Sequence, residues 1–166
     1  MVKFLLGLVI GAGLVLLAGY LFATRGVYMG TKGGPLPMEQ FIANKAIEAS
    51  IGKSSHDEPP LQANEINLLA GAQIYLQNCA ECHGRLDQPA PALAKGCYPH
   101  PPQLLLPGEG VTGDPVGATH WAVKNGVRFS GMPSFEGKLT DEEIWKVSLF
   151  LRNAGKLPSS VQEALR

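Results

Sequence analysis

The sequence predicts an all-α protein: one apolar N-terminal helix followed by a small helical domain. Three observations lead there. Phe4 to Ala23 runs for twenty residues without a charge. Beyond residue 64, apolar residues recur at helical spacing behind the cap signals Asn64, Asp114 and Thr140. No βαβ pattern surrounds the one dense group of reactive side chains, Cys79-Ala80-Glu81-Cys82-His83. The 166 residues carry a formal charge of zero, so nothing points to nucleic acid as a partner or to a strongly polarised surface.

As a helix rising ~1.5 Å per residue, Phe4 to Ala23 spans about 30 Å, the thickness of one hydrocarbon core. A cleaved signal peptide is the competing reading. Its apolar region is shorter and ends in a small-residue cleavage pattern, which Gly19-Tyr20-Leu21-Phe22-Ala23-Thr24 matches poorly. The expectation is therefore a retained transmembrane anchor over residues 1–25. Lys3 and Arg25 flank it too evenly to orient it. Gly7 and Gly11 form a G-x-x-x-G step of the kind that packs against another membrane helix.

Residues 26–63 read as a linker, because Gly26, Gly30, Gly33, Gly34, Pro35 and Pro37 crowd its first part. A short helix over 38–51 interrupts it, with Phe41, Ile42, Ile47 and Ile51 as apolar positions, and residues 53–60 form a second flexible joint.

The domain proper covers 64–158. Asn64 caps its first helix, whose expected apolar face is Ile66, Leu69, Ala70, Ile74 and Leu76. Residues 84–107 are proline-rich and show neither period. Asp114 as N-cap, Pro115 as N1 and Gly126 as C′ bound a helix over about 115–125. Thr140 and Glu143 make a capping box for the last helix, which buries Ile144, Trp145, Val147, Phe150 and Leu151 and stops at Gly155 and Pro158. Residues 159–166 carry no signal and read as a tail.

Cys79, Cys82 and His83 have the spacing for covalent attachment of a c-type haem. One tight turn presents two sulfurs to the vinyl edge of a porphyrin and leaves an imidazole beneath the ring as an iron ligand. A thioredoxin-like pair would need a βαβ setting, and a zinc site would need a second close Cys/His pair. The remaining cysteine is Cys97, and the next histidine is His100. On the opposite face the candidate ligand is Met132, whose neighbours Gly131 and Pro133 give an irregular, stiffened loop. His100 and His120 compete with it, or the position stays open.

On these residues the sequence resembles the class I cytochrome c family in its small, membrane-anchored, monohaem bacterial form. The resemblance covers about residues 64–157. It rests on Gly71 and Tyr75 before Cys79-Ala80-Glu81-Cys82-His83-Gly84, on Tyr98-Pro99-His100-Pro101-Pro102-Gln103-Leu104, on Asn125-Gly126-Val127-Arg128 leading to Gly131-Met132-Pro133, and on Thr140-Asp141-Glu142-Glu143-Ile144-Trp145. It implies a class I cytochrome c fold around one covalent haem c, with His83 and Met132 as the iron ligands. Gly71 would lie where the first domain helix crosses the last. A carbonyl of Pro101 or Pro102 would accept the Nδ1 proton of His83, and Leu104 and Trp121 would border the porphyrin. The implied role is one-electron transfer between redox protein partners, with no small-molecule substrate and no catalysis of its own. The implied location is the periplasmic side of the cytoplasmic membrane. A haem subunit fixed in a membrane oxidoreductase complex is the alternative, and an open-site haem enzyme or gas sensor is the third reading.

Overall fold

A computed structural model describes residues 1–165, and the chain forms two compact units, Met1–Gln40 and Phe41–Arg166. In the first, α1 (Val2–Leu21) continues through one π-helical turn, Phe22–Gly26. Together they are long and apolar enough to cross a membrane, and no side chain of α1 is buried within the protein. Next comes a tight turn at Gly30–Gly33; helix α2 (Glu39–Ile51) begins in this unit but lies almost wholly in the second, with Phe41 and Ile42 exposed on it.

The second unit is all-helical: α3 (Glu65–Asn78), α4 (Ala80–His83), α5 (Ala92–Gly96), α6 (Val116–Asn125), α7 (Asp141–Arg152) and α8 (Ser159–Ala164). Among the described residues there is no strand, only an isolated bridge between Glu136 and Leu139. The fold is built on the crossing of α3 and α7. Gly71 makes it possible, since a β-carbon there would overlap the Lys146 carbonyl and lie 2.7 Å from Phe150 Cβ. Tyr75, one turn on, packs its ring at 5.5 Å from that of Phe150, and both are fully buried.

This crossing decides which side of α3 faces inward. The buried positions are Leu68, Gly71, Ala72 and Tyr75, a stripe in phase with Gly71. Ile66, expected in the apolar face, is instead exposed. Asn64 does cap the helix, its side chain accepting from the N–H of Asn67 at 2.9 Å. The capping box at Thr140 and Glu143 is formed in both directions, and α7 buries Ile144, Trp145, Val147, Phe150 and Leu151.

Three expectations are corrected. The residue before α6 is Pro115, not Asp114, and it has no side-chain cap; Asp114 lends only its carbonyl, to the Arg152 guanidinium. Residues 159–164 are a helix rather than a tail, because Val161 and Leu165 are buried in the same core as α3 and α7. Residues 52–57 are not a free joint. They form a 3₁₀ turn followed by an extended residue packed on α6, where a β-carbon on Gly117 would overlap the Ser54 carbonyl and lie 2.8 Å from that of Asp57.

Candidate functional site

The end of α3 passes directly into the Cys79–His83 turn. Cys79 N–H donates to the Tyr75 carbonyl at 2.8 Å, and Cys82 and His83 donate back to the Cys79 carbonyl at 3.0 and 2.8 Å. Gly84 closes the turn at φ +80. Residues three and four apart share one side of such a turn, so both thiols and the imidazole come to a common half-buried surface.

Tyr75 holds this turn from within. Its hydroxyl donates to the carbonyls of His83 and Gly84, 2.9 and 2.8 Å away. Burial keeps that hydroxyl protonated, far above the ordinary tyrosine range. Leu104 N–H donates to the same His83 carbonyl at 3.2 Å, and the Leu104 side chain joins the buried core.

The His83 ring is oriented by a second bond. Its Nδ1–H donates to the Pro102 carbonyl at 2.8 Å, which fixes the tautomer and leaves Nε2 as the basic nitrogen. Burial lowers the ring's proton affinity, partly offset by the Pro102 bond, so the imidazole is neutral, the form that ligates metal. Of the two prolines the resemblance offered, Pro102 supplies this oxygen. The Pro101 carbonyl accepts instead from Gln103 at 3.1 Å.

The thiols are shifted away from thiolate chemistry. Burial pushes Cys79 up to about 12. Cys82 is raised as well, by burial first and then by the neighbouring Cys97 and Glu81. A redox-active or metal-binding pair needs the opposite shift.

Met132 lies on a closed loop fastened to the end of α6. Gly126, at φ +70, ends that helix, and a β-carbon there would lie 2.6 Å from Ser134 N and 2.9 Å from the Met132 carbonyl. Val127 N–H donates to the Met132 carbonyl at 3.1 Å, and Met132 N–H donates to Ser130 Oγ at 3.1 Å. Downstream, Phe135 and Glu136 N–H donate to the Val123 and Lys124 carbonyls, at 3.1 and 3.2 Å, satisfying the open end of the helix. The Met132 side chain is half-buried against the core. Cys97 lies beside this loop, its sulfur 3.8 Å from where a Gly131 β-carbon would lie, and after burial it is the next contributor to raising Cys82.

The other candidates have neighbours of their own. Trp121 is half-buried and lines a cleft of about 290 Å³ with Ser54, Asp57, His120, Lys124 and Asn125. His120 is buried, stacked on Trp145 at 3.8 Å, and within 3.2 Å of Asp141 through Nε2. His100 is exposed, its Nδ1 3.3 Å from the Ala94 carbonyl. Sequence reasoning missed the Tyr75 hydroxyl, the position of Cys97 and the amide of Gln103. The last had a visible signal, a lone polar side chain between two prolines and three leucines.

The residues present fit a haem c. Two neutral thiols three positions apart suit addition to two vinyl groups, and an oriented neutral imidazole with a bare Nε2 suits iron. The thioether of Met132 is a chemically apt second ligand. Among the described residues no group of three or more His, Cys, Asp or Glu is arranged for a bare metal ion.

Comparison with known proteins agrees. The family model for cytochrome c oxidase, cbb3-type, subunit III matches residues 67–151, from within α3 to the end of α7. No curated protein and no solved structure matches the chain.

Proposed function

The chain belongs to the cbb3-type cytochrome c oxidase subunit III family of monohaem class I cytochromes c, and from that premise we propose that it carries single electrons between redox protein partners while anchored by α1. In this reading one haem c is joined to Cys79 and Cys82, with His83 and Met132 on its two faces, in a domain on the periplasmic side of the cytoplasmic membrane. The observation that supports it most directly is the His83–Pro102 bond, which prepares Nε2 for iron. Haem bound there supplies a one-electron Fe(III)/Fe(II) couple.

The work of the chain is to keep the ligands still. Tyr75, Leu104 and Pro102 hold the His83 turn from three directions. The cap at the end of α6 holds the Met132 loop. Two permanent ligands leave no open position for a substrate, and a thioether beside an imidazole raises the potential. Residues 61–166 hold nine Lys or Arg against ten Asp or Glu, so long-range steering of partners is weak.

A second reading is favoured by the family's description, which names an oxidase subunit. The chain would then be a fixed haem subunit of a membrane complex, with Gly7 and Gly11 packing on a partner helix. Gentle detergent extraction separates the two: a stoichiometric partner set supports the subunit, a lone haem protein the carrier. The shared core of both readings is tested by boiling in detergent and reductant. Haem stain should stay on the wild-type chain and vanish from the Cys79→Ala/Cys82→Ala variant; stain lost from the wild type refutes it.

A further inference from the structure

Gln103 is more than nine-tenths buried, although glutamine rarely is. Its amide nitrogen donates to two carbonyls, that of Cys82 at 3.3 Å and that of Pro101 at 3.1 Å. Its own backbone N–H donates to Glu109 at 3.3 Å. The two carbonyls belong to different pieces of chain. Cys82 lies in the turn that carries the axial imidazole, and Pro101 precedes the residue whose oxygen holds that imidazole. One side chain therefore bridges both sides of the His83–Pro102 bond.

The orientation of the amide has only one good solution. With nitrogen toward the carbonyls, Oε1 is left against Gly84, buried and without a partner. The reversed amide would point oxygen at two carbonyls, which is worse. An unpaired buried acceptor carries a desolvation penalty, and leucine in the same space would carry none. Gly84 accommodates the oxygen because it has no β-carbon, which would overlap Oε1.

We propose that Gln103 is a positioning residue for the axial imidazole: by clamping the carbonyls of Cys82 and Pro101 it holds the Pro102 oxygen on Nδ1 of His83, and so sets the donor strength of the imidazole toward iron. This rests on His83 being the axial ligand. A strong Nδ1–H bond makes the ring more basic and favours Fe(III). Loosening the clamp weakens that bond and raises the reduction potential.

The test uses the full-length haem-loaded protein with histidine and glutamine side chains isotopically labelled. In Gln103→Met, which keeps the length of the side chain and removes both donors, the low-spin spectrum should persist. The His83 Nδ1 proton of the reduced protein should exchange with solvent at least tenfold faster. The Fe(III)/Fe(II) equilibrium should move up to tenfold toward Fe(II), about 59 mV for one electron. Gln103→Asn, which keeps the amide on a shorter arm, should fall between. Unchanged exchange and potential in Gln103→Met overturn the proposal. Should that variant fail to hold haem, the wild type decides: Gln103 amide protons protected from exchange support the clamp, and protons exchanging as freely as a surface amide overturn it. Ring protons of His83 shifted by the porphyrin report the axial assignment separately. Their absence overturns that assignment together with this proposal, whereas shifted ring protons with unaltered exchange overturn the clamp alone.

Discussion

The backbone of Lys146 lies so close to Gly71 that a β-carbon on Gly71 would fall 2.8 Å from the Lys146 carbonyl carbon, in overlap with its oxygen. Backbone cannot rotate out of the way as a side chain can, so the helices would have to part. Gly71→Ala should therefore destabilise the domain despite the better helix propensity of alanine. An overpacking cost of at least about 2 kcal/mol corresponds to a fall in Tm of roughly 10 °C, read by thermal melting. An unchanged Tm would mean that the crossing is loose.

Met132 separates a carrier from an enzyme. With its sulfur on iron, the oxidised protein should be low-spin, show the near-infrared band of methionine ligation, and bind carbon monoxide poorly when reduced. Met132→Ala should turn high-spin or recruit another ligand, and take up carbon monoxide readily. Met132→His should stay low-spin with a lower potential. Substituting His120 should leave the visible spectrum as it is, because its Nε2 faces Asp141. Prompt carbon monoxide binding by the wild type would replace the carrier reading with an open-site one.

Shortening the chain tests the anchor and the packed strap together. A chain starting at Glu39 keeps residues 52–57 on α6, and one starting at Gln62 loses them. Both should remain soluble without detergent, whereas the full chain should resist extraction by salt or carbonate. The shorter one uncovers the face of α6 at Gly117. Its Tm should be lower by roughly 5–10 °C for a loss of about 1–2 kcal/mol. Equal melting would show that the strap contributes nothing.

His120 gives the domain a pH dependence. Burial lowers its proton affinity in the folded state, while Asp141 and the more distant Asp57 pull the other way and Lys124 adds to the lowering. The unfolded chain, with a value of about 6.5, takes the proton first. The stabilisation is therefore complete above about pH 6.5 and is lost as pH falls toward the lower folded value. Asp141, held down chiefly by Lys124, adds a loss only at more acidic pH, below about 4. His120→Phe keeps a ring over Trp145 and cannot titrate. Its Tm should fall less between pH 7.5 and 5.5 than that of the wild type, and equal falls would assign the effect to another group.

What was legible in the sequence followed from local rules. Asn64, Thr140 with Glu143, and Gly126 mark helix ends through hydrogen bonds within a few residues. The Cys79–His83 spacing specifies a single turn. What was not legible depends on distant partners. Ile66 looks like core by hydrophobicity, yet the phase of α3 is set by where α7 touches Gly71, and that leaves Ile66 in solvent. Val161 and Leu165 are too few to signal a helix alone, and α8 forms because α3 offers them a surface. Either proline could have faced His83, and the choice of Pro102 comes from loop geometry that Gln103 braces.

The meeting of α3 with α7 also says how the second unit should behave when its chain is broken. The two helices lie at opposite ends of the matched domain, and the exposed loop at Pro107-Gly108-Glu109 lies between them. A protease cutting there leaves one fragment with α3, the cysteine turn and Pro102, and another with α6, Met132 and α7. Each fragment keeps its half of the helix crossing. Mixed together, they should co-elute as one particle, whereas removing Val161 and Leu165 from the far end should prevent reassembly. The body is thus more tolerant of a cut in its middle than of a loss at its rim.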